Sequence, residues 1–288
     1  MRRLFLACVV MAAVLVPATA ASAAPTGEFA RFAKCPYVPT STDACVVAET
    51  VSGSVTTGKK TVPIVNKFLL QGGLHYVIPG EPFGPLDFLA ATDGNTLTKV
   101  AQPVPGGLLG VTAPTWWPKF LQDLFNETIN NGFTGVTATT ELAGPASAIK
   151  LNLGATLTGF GTALQIPVKI KLGNPFLGSS CYIGSNSSPI TLKLTTGTTA
   201  PPAPNKPITG SPGFFEEKEG GQLIVDKNNK LVDNAFAVPG ANGCGGLFSF
   251  LIDPFVDSIV GTPSAAGNNT AILEGTTYLG DAARVRAP

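Results

Sequence analysis

Between Gln165 and Leu172 the apolar side chains Ile166, Val168, Ile170 and Leu172 alternate with polar or small partners. A period of two places all four on one face of an extended strand, and that face needs a second apolar layer to cover it. Runs of related character recur along the chain, rich in β-branched residues and bounded by Gly, Pro and Asn. They span Cys45–Val55, Thr61–Leu70, Gly135–Leu142, Ala148–Leu153, Ala163–Leu172, Ile190–Thr195, Leu223–Val225 and Thr270–Leu279. Gly58-Lys59-Lys60 reads as the turn between the first two. Asp226-Lys227-Asn228-Asn229-Lys230 reads as a hairpin turn, because Asn tolerates left-handed backbone. Pro63 and Pro167 place their strands at sheet edges or at bulges. The expected fold is mainly β: antiparallel, sandwich-like sheets with one or two packed amphipathic or apolar helices and two disulfides.

Two segments depart from this pattern. From Thr115 to Asn131, Trp117, Phe120, Leu121, Leu124, Phe125 and Ile129 follow helical spacing, with Lys119, Gln122, Asp123 and Glu127 on the other face. Thr115 can cap the start and Gly132 the end, and packing of the Trp116–Phe125 stripe on a sheet is expected. The second segment, Leu247 to Val260, is apolar on nearly every side. Its Asp253-Pro254 pair reads as the cap and first position of a short second helix. Val104-Pro105-Gly106-Gly107-Leu108 precedes one segment; Val238-Pro239-Gly240 and Gly245-Gly246-Leu247 precede the other. A duplicated strand-loop-helix unit is one reading of this echo, and Pro-Gly loops that simply precede helices is the other. Residues 197–213, rich in Thr, Pro and Gly, form a stiff polar loop or linker.

The first 23 residues have the order of an export signal. Arg2-Arg3 is followed by the apolar run Leu4–Val16, Pro17 and then Ala21-Ser22-Ala23, so cleavage is expected after Ala23. The twin-arginine pattern lacks its preceding polar residues, and Cys8 comes before the apolar run rather than after it, which disfavours lipid attachment. The run is shorter than the ~20 residues of a membrane span, so no transmembrane anchor is expected once it is removed. The mature chain is then a single β-rich domain, 24–288. Of the 19 basic residues Arg2 and Arg3 leave with the leader, and 17 face 18 acidic ones. With no cationic excess to release counterions, nucleic acid is not an expected partner. Four cysteines remain: Cys35, Cys45, Cys181 and Cys244. An even number in an exported chain reads as two disulfides with three connectivities. Cys35–Cys45 with Cys181–Cys244 is preferred, because the first two share one short loop, and these bonds would contribute roughly 3 and 4 kcal/mol. If Cys181 joins Cys244, residues 197–213 are a loop inside one domain.

Chemistry is thinly signalled. His75 is the sole histidine; it stands at the end of a strand pattern with no G-x-S-x-G elbow, and reads as structural. Carboxylates could still act as a glycosidase-type pair; the candidates are Asp87, Asp93, Glu141, Asp226, Asp233 and the run Glu216-Glu217-Lys218-Glu219. Asp226-x-Asn228-x-Lys230 imitates a calcium loop, but Leu231 stands where the glycine belongs and Val238 where the last acidic ligand belongs. Gly240–Gly246 lacks the Lys-Ser/Thr of a phosphate cradle and reads as a tight loop fixed by Cys244. Asn126, Asn186 and Asn268 begin glycosylation-type triplets, a pattern common by chance. No catalytic, cofactor-binding or metal-ligating residue is named, and no cofactor is expected.

The chain resembles a family of secreted proteins of high-GC Gram-positive (actinobacterial) bacteria. The resemblance rests on Pro25-Thr26-Gly27-Glu28-Phe29, Ala113-Pro114-Thr115-Trp116-Trp117-Pro118, Asn174-Pro175-Phe176-Leu177-Gly178, Cys181-Tyr182-Ile183-Gly184-Ser185-Asn186 and Pro239–Leu247. It implies export and cysteine use, and carries no activity, ligand or catalytic residue. The expected function is a secreted or envelope-associated, non-enzymatic structural or binding protein whose partner is a cell-envelope component or an apolar ligand. Two alternatives are an extracellular hydrolase with paired carboxylates and a carrier of an apolar ligand. A large dry cavity lined by Trp117, Phe120 and Phe250 would favour the carrier.

Overall fold

The computed structural model describes residues 24–38, 40–130 and 134–286. The expected leader, 1–23, and the helix stop at Gly132 lie outside them. In chain order the strands are β1 (Ala44–Thr57), β2 (Lys60–Pro63), β3 (Phe68–Tyr76), β4 (Leu86–Ala90), β5 (Ala101–Pro103), β6 (Thr137–Leu142) and β7 (Lys150–Leu151). There follow β8 (Leu164–Gly173), β9 (Tyr182–Ile183), β10 (Ile190–Leu194), β11 (Phe214–Lys218), β12 (Leu223–Asp233), β13 (Ala241–Asn242) and β14 (Thr270–Asp281). Among the described residues, four α-helices interrupt them: α1 (Lys119–Asn130), α2 (Leu153–Thr158), α3 (Ser249–Val260) and α4 (Ala282–Arg286). The mainly β expectation holds.

Two antiparallel sheets result. One runs β11-β12-β14-β1-β3-β4, with β2 also on β1; the other runs β13-β9-β8-β6-β5, with β10 and β7 also on β8. Their inner faces share the main core. The alternation read between Gln165 and Leu172 is the inward face of β8: Leu164, Ile166, Val168 and Leu172 are buried in that core. β1 begins differently, with Ala44, Cys45, Val46 and Val47 all buried. Ala44 and Val46 face the inter-sheet core. Cys45 and Val47 join a second cluster in which Phe29, Phe32 and Val285, from the two terminal segments, cover the outer face of the first sheet. A strand covered on both sides loses its alternation.

Both disulfides follow the preferred pairing. Cys35–Cys45 ties the N-terminal 3₁₀ segment to β1, and Cys181–Cys244 ties the entry of β9 to the glycine loop before α3. Residues 197–213 fold back as a loop: the Gly210 amide donates to Gly197 O, and Ser211 exchanges backbone bonds with Lys230.

Several local expectations need correction. Thr61–Leu70 is not one strand but β2 and β3, because Pro63 ends the first and the Gln102 side chain holds the break. Its Oε1 accepts from Val65 N and Asn66 N, and its Nε2 donates to Asn66 O. Pro167 lies in the most heavily paired strand of its sheet, neither at an edge nor at a bulge. Its carbonyl accepts from Ala143 N, so the side lacking an N–H faces the gap between the end of β6 pairing at Val168 and the start of β7 pairing at Gln165. Asp226–Lys230 is no hairpin. β12 runs straight through it, and the left-handed Asn228 (φ 57) accommodates a β-bulge against β14. Leu153, expected in a strand, opens α2 because Asn152 caps it, its Oδ1 accepting from Ala155 N. Thr115 does not cap α1; the Pro118 carbonyl accepts from Gln122 N, and the helix begins at Lys119. α3 continues through Pro254. Asp253 turns away from the helix, accepting from Gly243 N and Cys244 N, so it fixes the glycine loop instead of starting a new helix.

The echo between the two Gly-Gly segments has a local counterpart. Gly106 (φ 80) and Gly245 (φ 74) are both left-handed, and each leads into a three-residue 3₁₀ turn, Gly107–Leu109 and Gly246–Phe248. Only glycine enters that backbone region freely.

Candidate functional site

The inner faces of the two sheets do not close on each other everywhere. Between them lies a cavity of about 160 Å³. Its walls follow from the strand alternation: Ile166, Val168 and Ile170 from β8 on one side, Phe68 and Leu70 from β3 and Leu273 from β14 on the other. The space exists because small side chains stand where large ones would fill it, namely Ala48 and Thr50 on β1 and Ala138 and Thr140 on β6. Cores are normally packed to crystal density. Apolar walls left without partners forfeit part of the packing contacts that a filled core would make.

One end of the cavity is framed by three elements. α3 contributes Val256, Ile259 and Val260, the 3₁₀ turn contributes Gly107 and Leu108, and the first residue of β2 contributes Lys60. The Lys60 ammonium donates to the Gly110 carbonyl at 3.1 Å, and burial lowers its pKa from the ordinary lysine value. Thr57, also on the wall, is its cross-strand partner. Gln102 reaches the wall too, but its amide is consumed at the break between β2 and β3.

The aromatic residues whose presence on such a wall would favour a carrier are not on it. Trp117, Phe120 and Phe250 are absent from its wall, and the helical stripes they belong to face outward. Trp116 is 81% exposed, Phe120 69%, Phe250 71% and Leu247 94%. The stripe on α1 therefore does not pack on a sheet. Trp117 and Phe125 meet edge to face at 5.7 Å, and Asn126 Oδ1 accepts from Ala113 N, holding α1 against the loop before it. In α3 the two faces are divided, with Val256 inward and Phe250, Leu251 and Phe255 outward. Phe176 is exposed as well, and the carbonyl of its neighbour Leu177 accepts from the Gly245 amide in the loop before α3.

The candidate catalytic groups are dispersed. His75 Nδ1 lies 2.9 Å from Asp43 Oδ2, which also accepts from Tyr76 N. Asp87 is the cross-strand partner of His75, and Glu141 that of Lys169. Asp93 accepts from Asn95 N in a turn. Glu216 pairs with Lys227, and Lys218 with Glu28. Asp233 is buried and accepts from Lys193 N and Ala235 N. Asp226 is buried within the first sheet, where burial pushes its pKa up to about 6 against the single hydrogen bond from Asn229. None of these carboxylates reaches the cavity wall. The site the structure does offer, Lys60 with Thr57 at the rim of an aliphatic chamber, was read in the sequence only as a turn. Among known protein families, curated proteins and solved structures, none matches the chain.

Proposed function

We propose that the protein is an exported, non-enzymatic binding protein that carries an apolar ligand between its two sheets. The observation that carries this reading is the inter-sheet cavity. Its wall is mostly aliphatic carbon, with the Phe68 ring, the Gln102 amide, a few hydroxyls and one ammonium, which suits holding an apolar chain. A ligand that fills it recovers the contacts the void forfeits, so binding and core completion are one event. Export is supported by the leader-like 1–23, by the resemblance to secreted proteins, and by two disulfides, which persist in oxidising compartments. Among the described residues no helix is long and apolar enough to cross a membrane.

The test is fluorescence titration of residues 24–288 with N-phenyl-1-naphthylamine, a neutral dye that brightens in apolar surroundings. Saturable one-to-one binding is expected, and Ala138→Phe, which fills the chamber from β6, should abolish it. Absence of saturable binding would overturn the reading. So would unchanged binding by a folded Ala138→Phe, since the dye would then be sitting on the exposed aromatic residues.

A further inference from the structure

Lys60 is the one charged side chain on the cavity wall, among the described residues. A half-buried ammonium ordinarily finds a carboxylate. Here, among the described residues, no Asp or Glu lies within ion-pair distance of it, and its bond is to the Gly110 carbonyl. A Cβ placed on Gly110 would stand 3.1 Å from Lys60 Nζ and 3.3 Å from Ile259 Cγ2, so the ammonium is held where β2, the 107–110 turn and the last turn of α3 converge. Its neighbour Lys59 is exposed, its ammonium near Ser258 O outside the chamber. Opposite Lys60 in the β1–β2 register is Thr57, which is buried and also lines the wall. The single charge of a mainly apolar chamber, set beside the Thr57 hydroxyl, forms a head-and-tail arrangement.

We propose that the ligand is an aliphatic chain with an anionic head group, seated with its head at Lys60 and Thr57 and its tail between the sheets. This rests on the carrier reading and adds the class of ligand to it. The chamber runs between apolar side chains of both sheets, from Ile166 and Val168 on one wall to Phe68 and Leu273 on the other, which suits a single alkyl tail. The head completes the charge of Lys60 at a site partly shielded from water, where a charge-assisted hydrogen bond is stronger than at an open surface.

The experiment is displacement of N-phenyl-1-naphthylamine from residues 24–288 by dodecanoate, dodecyl phosphate, dodecan-1-ol and dodecyltrimethylammonium, each below its micellar concentration. Dodecanoate, dodecyl phosphate or both should bind about tenfold or more tightly than the alcohol, the worth of one charge-assisted hydrogen bond. The relative strength of the two anions identifies the head group as carboxylate or phosphate. The cationic amphiphile should bind worst. Lys60→Met should erase the preference for anions while keeping alcohol binding, and Lys60→Arg should keep the preference. Lys60→Gln keeps a donor for the Gly110 carbonyl, so it serves if the Met variant does not fold. Equal displacement by the alcohol and both anions, or an anion preference that survives Lys60→Gln, would overturn the head-group assignment and leave the carrier reading standing. Failure of the dye and all four amphiphiles to bind would overturn both.

Discussion

Asp226 shows most directly how burial changes the behaviour of one residue. It is 4% exposed, its cross-strand partners are the uncharged Phe215 and Thr277, and among the described residues Oδ1 has no hydrogen-bond partner. Burial pushes its pKa up to about 6, above the ordinary aspartate range, and burial also raises that of Asp233. An acid whose folded pKa lies above its unfolded one keeps its proton in the native state while the unfolded chain has released it. Its stabilising contribution is therefore full below about pH 4 and is lost as pH rises to about 6. Glu28, Asp93 and Glu216 shift the other way, through Lys218, Asn95 and Lys227 respectively; they stand near the surface and act on the acid side of that window. Stability measured by urea midpoint should fall between pH 4.5 and 7.5. In Asp226→Asn the fall should shrink, with a gain of about 1–2 kcal/mol at pH 7.5 after allowance for solvent screening and little change at pH 4.5. A wild-type slope in the variant would show that Asp226 does not govern the window.

At the scale of elements, α3 separates two kinds of apolar residue that the sequence presents alike. Val256 is buried against the core, whereas Phe250 and Leu251 stand in solvent. Val256→Ala should cost about 1–2 kcal/mol by urea denaturation, as a buried truncation does. Phe250→Ser and Leu251→Ser should each stay within about 0.5 kcal/mol of wild type, because exposed side chains contribute little to the folded state. Comparable losses for all three would place the outward face in contact with the rest of the fold. β8 was legible because period-two patterning reports which side chains share a face, whereas β1 and β14 showed only as β-branched runs, since β1 begins buried on both faces and β14 does not alternate. Helical periodicity reports the same kind of fact, but it does not say whether the apolar face meets a sheet or water, so the stripe of Trp116, Phe120 and Leu124 was misplaced. Asp253 was misread because the partner that takes its carboxylate, the amides of Gly243 and Cys244, is set by tertiary folding. The bulge in β12 hides for a similar reason, since Asn228 in left-handed backbone serves a turn and a bulge equally well. Lys60 carried no signal of its own; only the pairing of β2 with β1 sets it opposite Thr57.

Across the whole molecule, the two sheets are held from outside as well as from within. The terminal segments seal the outer face of the first sheet, with Arg31 stacked over Tyr278 at 3.8 Å and Arg286 donating to Cys35 O. The two disulfides fix an end of each sheet. A frame closed in this way can keep its sheets apart over a chamber lined by Ala48 and Ala138 without collapsing onto it. The void then represents stability surrendered by the free protein and recovered by the complex, and the two states can be separated by filling it covalently. Ala48→Leu adds three carbons from the β1 side, each methylene worth up to ~0.8 kcal/mol once buried. The free variant should melt about 2–6 °C above free wild type, given that ~1 kcal/mol moves a domain of this size by about 2–4 °C. Wild type should gain more from ligand, because saturation at a hundred times Kd is worth about 2.7 kcal/mol by linkage, while the variant, with its chamber taken, should show a much smaller shift with dodecanoate. Calorimetry with and without dodecanoate decides the matter. Overpacking destabilises a core that is already full, so a lower melting temperature for free Ala48→Leu would mean that the sheets close in solution and that no chamber awaits a ligand.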